Sequence, residues 1–151
     1  MIYAIIDERQ KGKTTLALDL FLKDPENSIL IVDNINQRID VLKKIESKLK
    51  PEYVRNIKPY HKEIIKGLKF KVLIIDELFF KRDFKTFIDY AKIVFEDIYI
   101  TSTYKEKIKN EAFLKLNSAK ITNVKNFREN NFYKSNTLQN FEKFYNETNE
   151  H

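Results

Sequence analysis

The chain has 151 residues, 42% of them apolar and 13% aromatic, which suits one compact domain with its own core and excludes wholesale disorder. It has no cysteine, so disulfides, thiolate zinc sites and a cysteine nucleophile are excluded; two histidines, His61 and His151, leave little for a histidine-held metal or a Ser-His-Asp triad. A net charge of +6, built on 23 Lys and 5 Arg, permits a nucleic-acid partner without demanding one.

The opening Met1-Ile2-Tyr3-Ala4-Ile5-Ile6 is apolar for six residues before Asp7-Glu8, too short for a signal peptide. No apolar run approaches the ~20 residues of a membrane span. The expectation is a soluble cytoplasmic protein without a membrane partner. Residues 3–6 read as a strand and 14–22 as a helix, followed by a strand over 28–32. Ile35, Ile39, Leu42, Ile45 and Leu49 recur at helical spacing, which predicts a helix over 35–49 that Pro51 ends. Residues 51–69 read as a helical turn and a loop around Pro59 and Gly67. A strand over 72–75, a helix over 83–95, a strand over 98–101, a helix over 105–116 and a strand over 120–124 complete the pattern.

Strands of continuous Ile, Val and Leu fit a parallel sheet buried on both faces. Their alternation with helices predicts an α/β fold, doubly wound with right-handed crossovers. The expected organisation is one domain over 1–128 and a C-terminal tail over 129–151, in which Leu138, Phe141, Phe144 and Tyr145 would dock as an amphipathic helix. Charge is uneven: +3 over 1–103, +5 over 104–128 and −2 over 129–151.

Only two glycines occur, and Gly12 stands between lysines. The first strand runs into Asp7-Glu8-Arg9-Gln10-Lys11-Gly12-Lys13-Thr14-Thr15 and a helix follows, the context a phosphate-binding loop requires. Backbone N–H groups and the positive end of the helix would hold a polyphosphate. Gly12 would let the main chain approach it. Lys13 would reach the β- and γ-phosphates, Thr14 would ligate Mg²⁺, and Gln10, Lys11 and Thr15 would add contacts. Asp7 occupies the place of the usual first glycine, so Arg9 or Lys11 would have to neutralise it. The plainer alternative is a basic loop capping a helix.

Lys71-Val72-Leu73-Ile74-Ile75-Asp76-Glu77 places two carboxylates at the end of a buried strand, where open α/β sheets bind ligands. Asp76 would hold Mg²⁺ through water and Glu77 would polarise the water attacking the γ-phosphate. A simple strand stop is the alternative. Thr101, Ser102 and Thr103, ending the next strand, would sense the γ-phosphate or else cap a helix. Arg128, retained where lysine is the default cation, reads as an arginine finger or as a surface salt bridge, and Arg9 competes for the same role.

Lys13-Thr14, Asp76-Glu77 and the hydroxyls at 101–103 together resemble the P-loop NTPases of the additional-strand, catalytic-glutamate type. Within them, the order of sensor strand, helix, final strand and Arg128 is similar to the compact packaging ATPases of double-stranded DNA viruses, relatives of HerA and FtsK, with Tyr104 where their sensor has glutamine. The loop from Arg9 to Thr15 resembles that of terminase large subunits, whose arginine acts within its own chain. The resemblance implies a three-layer fold with a five-stranded, mainly parallel sheet in the order 5-1-4-3-2. It further implies ATP and Mg²⁺ as cofactors, hydrolysis coupled to movement of double-stranded DNA, a homo-oligomeric ring, and work inside an infected host cell. Two rival functions remain: a nucleoside or nucleotide kinase, faintly suggested by Leu78-Phe79-Phe80 after the acids, and a degenerate nucleotide-binding protein without turnover.

Overall fold

The computed structural model describes residues 1–61, 63–77, 84–103 and 118–133. In chain order the elements are β1 (Ile2–Asp7), α1 (Lys13–Lys23), β2 (Ser28–Val32), α2 (Ile35–Ile45), a 3-10 helix (Pro51–Asn56), β3 (Ile57–Pro59), β4 (Val72–Asp76), α3 (Phe84–Val94), β5 (Asp97–Thr103), β6 (Lys120–Thr122) and α4 (Val124–Arg128), then a π-helical turn (Glu129–Tyr133). The helix expected over 105–116, Tyr104, the Leu78-Phe79-Phe80 run, and the tail positions Leu138, Phe141, Phe144 and Tyr145 lie outside the described residues.

The fold is α/β, with a six-stranded sheet in the order β3-β2-β4-β5-β1-β6, all pairs parallel. This corrects the expected five strands in the order 5-1-4-3-2. The addition is β3 at one edge; β6, β1, β5, β4 and β2 are successive neighbours. β3 escapes a reading of the sequence because it has three residues and one is Pro59. Proline lacks the N–H a ladder needs and is tolerated only at an edge or a strand end, which is where it sits.

Alternate strand residues feed two cores. Ala4, Ile6, Ile29, Ile31, Leu73 and Ile75 pack with Phe84, Phe87, Ile88 and Ala91 of α3. On the other face Ile5, Leu30, Val32 and Ile74 pack with Leu16, Ala17 and Phe21 of α1, Val41 and Ile45 of α2, and Val124 and Phe127 of α4. The result is three layers. Burial of a side chain such as Leu16 or Phe21 contributes roughly 1.5–3 kcal/mol. Packing therefore fixes α1, whose N-cap Gly12 offers no side-chain hydrogen bond.

Two boundaries and one stretch of burial depart from periodicity for local reasons. α2 stops at Ile45, and Lys48 N–H bonds the Ile45 carbonyl in a tighter turn. The chain must leave the helix before Pro51, which holds Lys50 extended at φ −63° and ψ 139°. Leu49 stays in the core, but Ile35 is 63% exposed, because the first turns of α2 rise past the end of β2 and the buried stripe begins at Val41. The last strand ends at Thr122, not 124, because the Asn123 side chain accepts the Asn126 N–H and starts α4.

Tyr3 and Tyr99 stack at 5.0 Å between ring centroids on the face that Phe127 covers edge-on. Burial, reinforced by the charge of Asp97 and by Tyr3, pushes the Tyr99 phenol up to about 12. An unfolded tyrosine ionises near pH 10, so the folded chain keeps this proton longer, and the associated stability is complete below pH 10 and lost as pH rises through about 12. Urea denaturation from pH 9 upward should show that loss, and Tyr99→Phe should flatten it; an equally steep loss in the variant would assign it elsewhere.

Candidate functional site

The parallel sheet brings the C-terminal ends of its strands to one edge. Register places Asp76 of β4 beside Thr101 of β5, and Asp7 of β1 beside Thr103. From β1 the chain turns through residues 8–12 into α1. Gln10 (φ 62°) and Gly12 (φ 84°) are both left-handed, and turns of this kind form backbone concavities that bind anions. No atom lies within 4 Å of where a Gly12 Cβ would sit. The need for glycine is therefore conformational within this chain, not a matter of crowding.

Lys13, the first residue of α1, is only 7% exposed. Its ammonium folds back over the loop, donating to the Glu8 carbonyl at 2.7 Å and the Asp7 carbonyl at 3.2 Å, and lies 3.6 Å from Glu77 Oε1. Thr14 Oγ1 donates to Asp76 Oδ2 at 3.0 Å, which joins the start of α1 to the end of β4. Asp76 is 1% exposed. Thr101 Oγ1 donates to its other oxygen at 2.6 Å, and Gln37 Nε2 to Oδ2 at 3.1 Å. Glu77, left-handed at φ 62°, leaves the strand so that its two carboxylate oxygens share the single Thr103 hydroxyl proton, at 2.8 and 3.0 Å from Oγ1. Its own N–H bonds the Thr101 carbonyl.

Arg9, Gln10, Gly12, Lys13, Thr14, Thr15, Glu77 and Thr103 line a cavity of about 620 Å³. Lys11 is exposed and Asp76 buried, and neither is in that lining. The three hydroxyls ending β5 divide their work. Thr101 secures Asp76 and Thr103 secures Glu77 at the cavity wall, while Ser102, between them, is buried and by strand alternation faces the opposite layer. A γ-phosphate contact from Ser102 is not what this placement offers.

Asp7 is handled differently from expectation. Its two oxygens accept the Glu8 N–H at 2.9 Å and the Val124 N–H at 3.1 Å, so the carboxylate turns to the β6–α4 junction and backbone groups, in place of Arg9 or Lys11, satisfy it. Arg128, 14% exposed, donates to Asp19 Oδ2 on α1 at 2.8 Å and is not in the cavity lining. Among the described residues, Arg9 is the arginine in the cavity lining. Gln37 is the residue a reading of the sequence misses. Asn34-x-x-Gln37 has the spacing of a helix cap, and that signal conceals the reach of the amide to Asp76.

Chemically, the site joins a buried cation, a hydroxyl hydrogen-bonded to a buried carboxylate, and a second carboxylate at the rim of a polar cavity. The Thr14–Asp76 pair offers hard oxygen donors of the kind Mg²⁺ takes. A comparison with protein-family models finds no match, and a comparison with curated proteins finds none either.

The Arg128–Asp19 bond predicts a measurable structural role. In a double-mutant cycle of Arg128→Ala and Asp19→Ala read by urea denaturation, the coupling should be about 0.5–1 kcal/mol, since the pair is partly exposed. Zero coupling would mean that Arg128 spends its time elsewhere.

Proposed function

We propose that this chain is a Mg²⁺-dependent ATPase of the P-loop type, and that its hydrolysis drives movement of double-stranded DNA, as in viral genome packaging. The observation that carries the nucleotide reading is the meeting of Lys13 and Thr14, at the start of α1, with Glu77 on the wall of one 620 Å³ cavity, and with Asp76 buried behind that wall and hydrogen-bonded to Thr14. A cavity of this size suits a small ligand, and its walls carry the cations of Arg9 and Lys13 and the hydroxyls of Thr14, Thr15 and Thr103.

In this reading the loop from Arg9 to Gly12 and the N-terminus of α1 receive the phosphates. The Lys13 ammonium exchanges its carbonyl partners, Asp7 and Glu8, for β- and γ-phosphate oxygens. Thr14, and Asp76 through water, would hold Mg²⁺, which would supply positive charge against the charge that develops on the phosphates. Glu77 accepts a hydrogen bond from the attacking water and draws off its proton as the water oxygen bonds the γ-phosphorus and the bond from that phosphorus to the β–γ bridging oxygen breaks, releasing ADP and inorganic phosphate. Thr103 keeps the Glu77 carboxylate in one orientation. Arg9, facing the cavity, supplies further positive charge to the transferring group.

The DNA part of the proposal rests on the sequence resemblance and on the +5 charge of residues 104–128, which would track a phosphate backbone, in a homo-oligomeric ring. No helix among the described residues is long and apolar enough to cross a membrane.

Purified protein should hydrolyse ATP in Mg²⁺, faster with double-stranded DNA present. Glu77→Gln should lower the rate by about 10²–10⁴-fold while ATP affinity is kept, and Lys13→Ala should weaken ATP binding itself. ATP affinity without turnover under any of these conditions would mark a binding protein, and phosphate transfer to nucleosides would mark a kinase.

A further inference from the structure

Gln37 has the two ends of its side-chain amide on two different tasks. Its Oε1 accepts the Asp33 N–H at 2.7 Å, and its Nε2 donates to Asp76 Oδ2 at 3.1 Å. The orientation of the amide is forced: the Asp33 N–H can only face an oxygen, and the carboxylate can only face a donor. Helix capping does not explain this placement. Asn34 already caps α2 by accepting the Gln37 N–H at 2.9 Å, and a capping-box glutamine would accept the N–H of the cap residue itself. Here the acceptor bond goes one residue further back and the NH₂ group turns inward to the buried acid.

Asp76 thus has three side-chain donors from three elements: Thr14 of α1, Gln37 of α2 and Thr101 of β5. Thr101 holds one carboxylate oxygen. Thr14 and Gln37 share the other, so the pair fixes the carboxylate plane and keeps Oδ2 against the Thr14 hydroxyl. Removing the Gln37 donor leaves one hydrogen bond on each oxygen, from Thr14 and Thr101, and holds the carboxylate less tightly.

We propose that Gln37 is a positioning residue for the divalent cation of this site, acting through Asp76. It sets metal affinity without touching the nucleotide. The inference rests on the nucleotide reading above. Groups that orient a metal-holding carboxylate in this way typically matter by one to two orders of magnitude.

The test measures Mn²⁺ binding by electron paramagnetic resonance in the presence of ADP, together with ADP affinity in EDTA. The variants are Gln37→Met, which keeps the length and removes the donor, and Gln37→Asn, which keeps the amide but cannot span Asp33 and Asp76. Asn34→Ala is the control, removing the α2 cap and a long contact to the Asp33 carboxylate while keeping the Gln37 amide. Both Gln37 variants should weaken Mn²⁺ about 10–100-fold and leave metal-free ADP affinity as in the unaltered chain. Asn34→Ala should lower the melting temperature and leave Mn²⁺ affinity unchanged. Unchanged Mn²⁺ affinity in both Gln37 variants, or an equal loss in Asn34→Ala, would overturn the proposal while the nucleotide reading stood. Failure of the unaltered chain to take up Mn²⁺ with ADP would overturn both.

Discussion

A carboxylate buried at the end of a strand cannot be left without donors, and the demands of Asp76 organise this molecule. Burying an ionised group is tolerable only when hydrogen bonds replace its water. Three separate segments supply them: the start of α1 through Thr14, the first turn of α2 through Gln37, and the end of β5 through Thr101. Each donor stands at or near the C-terminal edge of the sheet because the strands are parallel. The same edge receives Glu77 and Lys13, so the arrangement that satisfies Asp76 also builds the cavity wall.

The loop from β1 to α1 solves a related problem with few glycines. Gln10 accepts a left-handed conformation that glycine would adopt without cost, and Gly12 takes the second. Asp7 turns its side chain outward to the N–H groups of Glu8 and Val124. The loop is in this way fastened to α4, which is fastened in turn to α1 by Arg128 and Asp19 and to the sheet by Phe127 against Tyr3 and Tyr99. The last strand and helix serve as a brace for the first.

Much of the architecture was legible in the sequence because buried parallel strands are unbroken runs of Ile, Val and Leu, as in 28–32 and 72–75, and because Pro51 acts locally; Asn123, read as part of the last predicted strand, hid its cap on α4. β3 was not legible, since three residues including Pro59 carry no periodic signal. The apolar stripe of α2 misled at Ile35 and Ile39, where helical spacing says which residues share a face but not whether a layer lies beneath them. At the site, Lys13, Thr14, Asp76 and Glu77 were readable from spacing and strand context. The partnership of each β5 hydroxyl was not, because it depends on the register of β5 against β4 and β1. Gln37 was hidden for a similar reason: a glutamine in a helix looks like solvated surface or a cap until the turn below it is known. Arg128 was noticed for its scarcity, and its ion pair with Asp19 followed from the unforeseen α4.

The outermost strand bears on how copies of this chain can meet. β3 is three residues long, ends in Pro59, and has the Ile57 carbonyl already engaged by Arg38 Nε at 2.6 Å, with the neighbouring Val54 carbonyl held by the same guanidinium. An incoming strand would find neither a full row of donors nor a full row of free acceptors, so the sheet is protected from growing outward on this flank. Copies that associate must do so through helices, loops or the β6 side, and a ribbon-like polymer built by extending β3 is disfavoured from the start.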